Sequence, residues 1–202
     1  IIDDSKDDSL QSILPPDNRI KYFHLSNPLP IPDKRNFGVK KCKGEYIVLM
    51  DDDDYYFPDS ILAKIRVLLK YKEHSCVYSN PIGVYNILKK SSTIVSTSGP
   101  DIPEATMAFS KSFWKKGKFG NGIKNKNGFQ HSEWFNFVKG RRKSLIKIPF
   151  WFNCIVLNHR ENTTQKTRDQ KWNGEKSSKN FIDILDNISR EKITQIVNKQ
   201  SL

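Results

Sequence analysis

Apolar and polar positions along the chain fall into short blocks whose period switches between two and about 3.6, the signature of alternating strands and helices. Ile1 and Ile2 run into the polar Asp3-Asp4-Ser5, as a strand does when it ends in a loop. A short helix is predicted over 9–14, stopped by Pro15-Pro16, then a strand over 20–25 and a proline-rich loop over 27–32. Residues 33–43 have helical composition and lead to Gly44, a residue suited to a helix C-terminus. Residues 45–50 make a mostly apolar strand, short enough to lie in the middle of a mostly parallel sheet. Pro58 and Asp59 suit the first turn of a helix, where Pro loses no hydrogen bond and an acid meets the positive end of the dipole. Ile61, Leu62, Ile65, Leu68 and Leu69 follow at helical spacing and predict its buried stripe.

Strands are predicted at 77–79, 83–88, 93–98, 105–109, 144–148 and 152–157, with short helices at 111–116 and 132–139. A polar stretch covers 161–175, and Phe181, Ile184, Leu185, Ile188, Ile193, Ile196 and Val197 predict one or two amphipathic helices after it. Strand and helix alternate through the first 80 residues. That order predicts an α/β fold, Rossmann-like, with a mixed, mostly parallel sheet flanked by helices and a helical C-terminal tail. The division expected is a domain over 1–165 and a polar linker with helices over 166–202.

Composition narrows the class. The chain has 202 residues, 37% of them hydrophobic and 11% aromatic, which fits a globular core and not a disordered chain. No apolar run nears the ~20 residues of a membrane span, and no secretory signal pattern opens the chain, which does not begin with Met. Cys42, Cys76 and Cys154 are odd in number, with no Cys-x-x-Cys pair. They point to a reducing, cytoplasmic compartment and away from zinc or a disulfide framework. The net charge of +12 fits nucleic acid, peripheral contact with an anionic membrane or a polyphosphate ligand. Lys and Arg are scattered, however, and no nucleic-acid module is recognisable, so a solvated basic surface is the simpler reading and no nucleic-acid partner is expected.

The acids are concentrated. Asp51, Asp52, Asp53 and Asp54 directly follow the apolar strand over 45–50. In open α/β sheets, ligands bind beyond the carboxyl ends of the strands. Two carboxylates two residues apart there would repel unless a cation or proton intervened. Hard oxygen ligands suit Mg²⁺ or Mn²⁺, with phosphates completing the shell. The plainer alternative is a solvated acidic turn, or a cluster at the N-terminus of the helix opened by Pro58. An EF-hand fits poorly, since the spacing lacks the Gly and the terminal Glu.

Context favours the first reading. Lys34-Arg35-Asn36-Phe37-Gly38-Val39, then Lys43-Gly44-Glu45-Tyr46-Ile47-Val48-Leu49-Met50 with the acidic run, then Pro58-Asp59, resembles the core of glycosyltransferase family 2, which has the GT-A fold. Ile1-Ile2-Asp3-Asp4-Ser5 resembles the preceding strand of that family, with Ser5 in place of a Gly. The resemblance covers about residues 1–80 closely and extends more loosely to about 165. The family's usual first strand and helix, which hold part of the base, have no counterpart in it.

The resemblance implies a metal-dependent, inverting transfer of a sugar from a UDP-, GDP- or dTDP-linked donor to a glycan or other hydroxyl acceptor, with Mn²⁺ or Mg²⁺ as cofactor. Carried over residue by residue, Asp4, Arg35, Asp51, Asp52 and Arg160 would meet the nucleotide sugar. Asp53, Asp51 and His159 would hold the metal, with Asp53 the more direct ligand. Glu133, in His131-Ser132-Glu133-Trp134-Phe135, would be the general base. Plainer roles stand beside these: helix capping for Asp4, surface pairing for Arg35 and Arg160, a first-turn acid for Glu133 and a structural histidine for His159. Two other functions are compatible with the sequence, a glycosyltransferase-like module that binds without turnover and, less simply, a basic nucleic-acid-binding protein.

Overall fold

A computed structural model describes residues 1–5, 9–96, 103–120, 140–159 and 174–200 of the chain. The fold is mixed α/β, with sheets flanked by helices, as the alternation of periods predicts. The helix expected over 132–139 and most of the polar stretch over 161–175 lie outside the described residues. The chain divides into two compact units, one of residues 1–47 and 110–140, the other of residues 48–109 and 141–202.

In the first unit, β1 (Ile2–Asp3) pairs in parallel with β2 (Phe23–His24), and α1 (Ser9–Ile13) lies between them in sequence. The next helix, α2 (Ile31–Lys41), starts two residues before the predicted 33, because Pro32 is accommodated in its first turn. It ends at Cys42 in an extended conformation, so Gly44 is not its terminator. α4 (Lys111–Lys116) is capped by Ser110, whose hydroxyl accepts the Phe113 N–H at 3.2 Å. Asn36 ties α2 to the segment after α4. Its side chain accepts from the Trp114 indole at 2.8 Å and the Phe119 N–H at 3.1 Å, and donates to the Phe119 carbonyl at 2.8 Å.

The strand over 45–50 is observed as β3 (Tyr46–Val48). Among the described residues it lies at the edge of its sheet and not in the middle, and only Ile47 in it is buried. The second unit holds a five-stranded sheet in the order β11-β7-β6-β10-β4, made of β4 (Tyr55–Tyr56), β6 (Ile82–Asn86), β7 (Ser91–Val95), β10 (Cys154–Asn158) and β11 (Glu175–Lys176). Here β6 and β10 run parallel and the other neighbours antiparallel. A second set joins β5 (Cys76–Ser79) in parallel to β9 (Leu145–Ile148) and antiparallel to β8 (Ala108–Ser110). The balance leans further toward antiparallel pairing than the alternation of elements suggests, because β6 and β7 form a hairpin.

Alternation along β6 and β10 sorts the core by face. Ile82, Val84, Val95 and Val156 pack on one side. On the other, Tyr85, Ile87 and Ile155 meet Phe150, Phe181, Leu185 and Ile193. The segment after 174 thus contributes to this core, through Phe181 and Leu185 and through Ile193 of the last helix, α5 (Asn187–Gln200). The side chains of Ile196 and Val197 lie outside those described. At Gly83 a Cβ would stand 2.6 Å from the Phe150 ring and 3.1 Å from that of Phe181. Both rings are buried and cannot swing aside. Gly83→Ala is therefore expected to destabilise the fold by about 1–3 kcal/mol, read as a lowered denaturation midpoint in urea.

The helix after Pro58, α3 (Ser60–Lys70), corrects the predicted stripe. Its buried positions are Ser60, Lys64 and Leu68, while Ile61, Leu62 and Leu69 are 48%, 45% and 53% exposed. The face that turns inward is chosen by polar partners. Lys64 Nζ donates to Asn153 Oδ1 at 2.8 Å, and Asn153 Nδ2 donates in turn to Ser79 Oγ at 2.8 Å and the Thr106 carbonyl at 2.7 Å. Burial lowers the Lys64 pKa from the ordinary 10.5 to about 8, with the nearby Cys154 opposing the shift.

A lysine whose folded pKa lies below its unfolded one binds fewer protons in the native state between those two values. Stability from this group is therefore lowest below pH 8 and rises as pH climbs toward 10.5. Buried Cys76, Cys154 and Tyr56, whose pKa values are all raised, act in the opposite sense at high pH, so the comparison must be with a variant. Lys64→Met is expected to melt somewhat below the parent at pH 7, because the buried Asn153 Oδ1 loses its donor. The difference should shift in the parent's favour by pH 10, as thermal denaturation at the two pH values would report.

Candidate active site

The acidic run begins where β3 ends. The Leu49 N–H donates to the Met107 carbonyl at 3.0 Å, which holds the strand's exit. The Asp51 N–H donates to Tyr56 Oη at 2.8 Å, and that hydroxyl donates to the Ala105 carbonyl at 3.1 Å. Desolvation, with Cys154 and Asp51 adding to it, pushes the Tyr56 pKa far up, so the hydroxyl stays a donor. The run is thereby folded back on its own β4.

Asp54 extends the pairing of β4 with β10. Tyr55 and Tyr56 face Ile155 and Cys154, and beyond them Asp54 Oδ1 accepts the Leu157 N–H at 3.1 Å. A carboxylate stands where a strand's backbone carbonyl would. Asp54 is thus tied to β10, whereas α3 begins at Ser60 with Asp59 at its N-cap. One residue past β10, His159 Nε2 comes to 3.3 Å from Asp53 Oδ2. Parallel pairing of β10 with β6 fixes where that strand ends, and so where His159 sits.

One carboxylate oxygen each from Asp51, Asp53 and Asp54 can lie within 4.8 Å of the others. An octahedral cation with bonds of about 2.1 Å needs ligand oxygens roughly 3–4.2 Å apart, so small side-chain rotations bring the three into range. All-oxygen donors suit Mg²⁺ or Mn²⁺. Three acids held this close repel one another, and a divalent cation would relieve that repulsion. Asp52 is exposed and does not belong to this trio.

In the first unit, Asp4 accepts from Lys34 Nζ at 2.5 Å and from the Leu29 N–H at 3.2 Å. The Arg35 guanidinium lies 5.8 Å from the centre of the Phe119 ring. Asp3, one residue earlier, is held by the Tyr22 hydroxyl at 2.7 Å, which with the Ser5 N–H lowers its pKa. The structure therefore brings Asp51 and Asp53 together with Asp54, sets His159 beside Asp53, and places Asp4 and Arg35 in the other unit. Glu133, Trp134 and Arg160 lie outside the described residues. Tyr56 was not singled out from the sequence. Its only signal there is its position two residues after the acidic run.

Residues 1–162 match Glycosyl transferase family 2, and the chain belongs to that family. An uncharacterized glycosyltransferase of Rickettsia conorii is 36% identical over 99 residues, which is 48% of this chain and 16% of that protein. Another, from Rickettsia typhi, is 26% identical over 182 residues, covering 82% of this chain and 54% of that protein. The chain thus spans from about one sixth to about half of the length of these relatives. Among solved structures, S. aureus TarS 1–349 in complex with UDP-GlcNAc aligns over 97% of this chain and 61% of its own, with a TM-score of 0.55 at 14% identity. That likeness is one of fold, the GT-A fold. The family is one of transferase enzymes. No helix among the described residues is long and apolar enough to cross a membrane.

Proposed function

We propose that this chain is a metal-dependent, inverting glycosyltransferase domain that moves a sugar from a nucleoside-diphosphate donor to a glycan or other hydroxyl acceptor. The observation that carries this is the convergence of Asp51, Asp53 and Asp54, with His159 beside Asp53, in a chain of family 2. Asp51, Asp53 and His159 would hold Mn²⁺ or Mg²⁺, with Asp54 anchoring the loop to β10. When bound, the cation supplies Lewis-acid stabilisation of the departing diphosphate.

The chain's own residues do the rest. Asp4, Arg35 and Asp52 bind the nucleotide sugar, Arg35 through a planar cation suited to phosphate oxygens. Arg160 offsets charge on the leaving diphosphate. Glu133 accepts the acceptor hydroxyl's proton as its oxygen bonds to the anomeric carbon and the diphosphate leaves from the opposite face. The TarS structure holds UDP-GlcNAc, which supports a nucleotide sugar as donor.

A thermal-shift screen of UDP-, GDP- and dTDP-sugars, each with and without Mn²⁺, tests the reading. One donor class should raise the melting temperature only with the metal, by the equivalent of about 2.7 kcal/mol at a hundredfold excess over Kd. No metal-dependent shift with any donor would overturn it.

A further inference from the structure

Lys64 has no part in the chemistry above, yet it is fully buried on the inner face of α3. Taking a charge out of water is costly, and Leu or Met would fill the same volume. What the ammonium touches explains its presence. It lies 5.5 Å from the centre of the Tyr56 ring and donates to Asn153 Oδ1 at 2.8 Å. The Tyr56 hydroxyl carries the Asp51 N–H and donates to the Ala105 carbonyl. Asn153 meanwhile grips the carbonyl of Thr106, the residue after Ala105, and the Thr106 hydroxyl in turn accepts the Ser79 N–H at 3.1 Å.

Two routes therefore lead from Lys64 to one hydroxyl, across the ring of Tyr56 and through Asn153 to the turn that receives that hydroxyl. Every residue on both routes belongs to the second unit. Ser79, Thr106 and Asn153 are fully buried with Lys64, so the arrangement is shielded from solvent.

We infer that Lys64 is a positioning residue for the acidic run, fixing through Tyr56 the main chain of Asp51 and hence the approach of Asp51 and Asp53 to a divalent cation. This rests on the cation-binding reading of those acids. A desolvated cation over an aromatic face attracts the ring electrostatically and favours one orientation of it. Groups that orient metal ligands typically alter affinity by about 10–100-fold when removed.

The test uses Lys64→Met, Tyr56→Phe and the double variant. Mn²⁺ binding is followed by electron paramagnetic resonance in the presence of UDP, GDP or dTDP, and exchange of the Asp51 amide hydrogen by NMR. Lys64→Met should stay folded, bind Mn²⁺ about tenfold more weakly and exchange the Asp51 amide faster. Tyr56→Phe should behave alike, and the double variant should be no worse than either, because the two residues act in series. Full Mn²⁺ affinity with an unchanged Asp51 amide in folded Lys64→Met, or additive losses in the double variant, would overturn the inference. Should Lys64→Met fail to fold, Lys64→Gln removes the charge and keeps a donor for Asn153. If the parent chain binds no Mn²⁺, the cation reading falls, and the amide exchange alone decides whether Lys64 positions the loop.

Discussion

Asp53→Asn is expected to reduce sugar transfer by about 10²–10³-fold while leaving the melting temperature of the metal-free chain within a degree or two of the parent. The change keeps the side chain's shape and removes one negative charge. Asp53 is 39% exposed, with the His159 imidazole beside it, so the isosteric amide disturbs little packing. The loss falls on the donor complex. With one carboxylate fewer in the cluster, Asp51 and His159 must hold the cation without its most direct ligand. Steady-state assay of sugar transfer across a Mn²⁺ series would show whether activity fails through metal affinity or turnover. If raised Mn²⁺ restores most of the rate, the carboxylate acts chiefly in binding the metal.

The second large effect is on stability. Asn153→Leu is expected to destabilise the second unit by about 3–5 kcal/mol at pH 7, measured by urea denaturation. Asn153 is the hub of a buried network, with one hydrogen bond to Lys64 and one each to Ser79 and Thr106. Leucine fills the volume and satisfies none of the three. The Lys64 ammonium loses its acceptor in a site closed to water, and the Thr106 carbonyl loses the Asn153 donor. Part of the loss should be recovered by adding Lys64→Met, since two apolar groups then face each other where a charge was left without its partner. A double variant less stable than Asn153→Leu alone would show that Lys64 gains its stability elsewhere.

These two expectations divide along what the sequence makes legible. The acidic run, the apolar strand before it and the Arg35-Asn36 pair are contiguous in the chain, and local order is enough to find them. Proline and the acids around 58 mark the start of α3 for the same reason. The face of α3 is another matter. Five apolar residues at helical spacing suggest Ile61, Leu62 and Leu69 inward, yet Lys64 is buried because its acceptor sits 89 residues further along the chain. Likewise Asp54 reads as a cap for the next helix until its bond to Leu157, 103 residues away, is seen. Long-range polar partners decide burial in both cases, and periodicity carries no trace of them. His159 was legible only through resemblance, and the end of β10 gives the physical reason for its place. Asn36 shows the converse. Its motif was visible, while its work as a staple between α2 and Phe119 needed the fold.

The most direct test of the acidic run as a cation-dependent diphosphate site is calorimetric titration of UDP, GDP and dTDP into the chain, in Mn²⁺ and again in chelator, with Asp53→Asn alongside. One nucleotide should bind the parent in Mn²⁺ at least tenfold more tightly than in chelator, and Asp53→Asn should erase that difference. Equal affinity with and without the metal, or a metal effect untouched in Asp53→Asn, would contradict it.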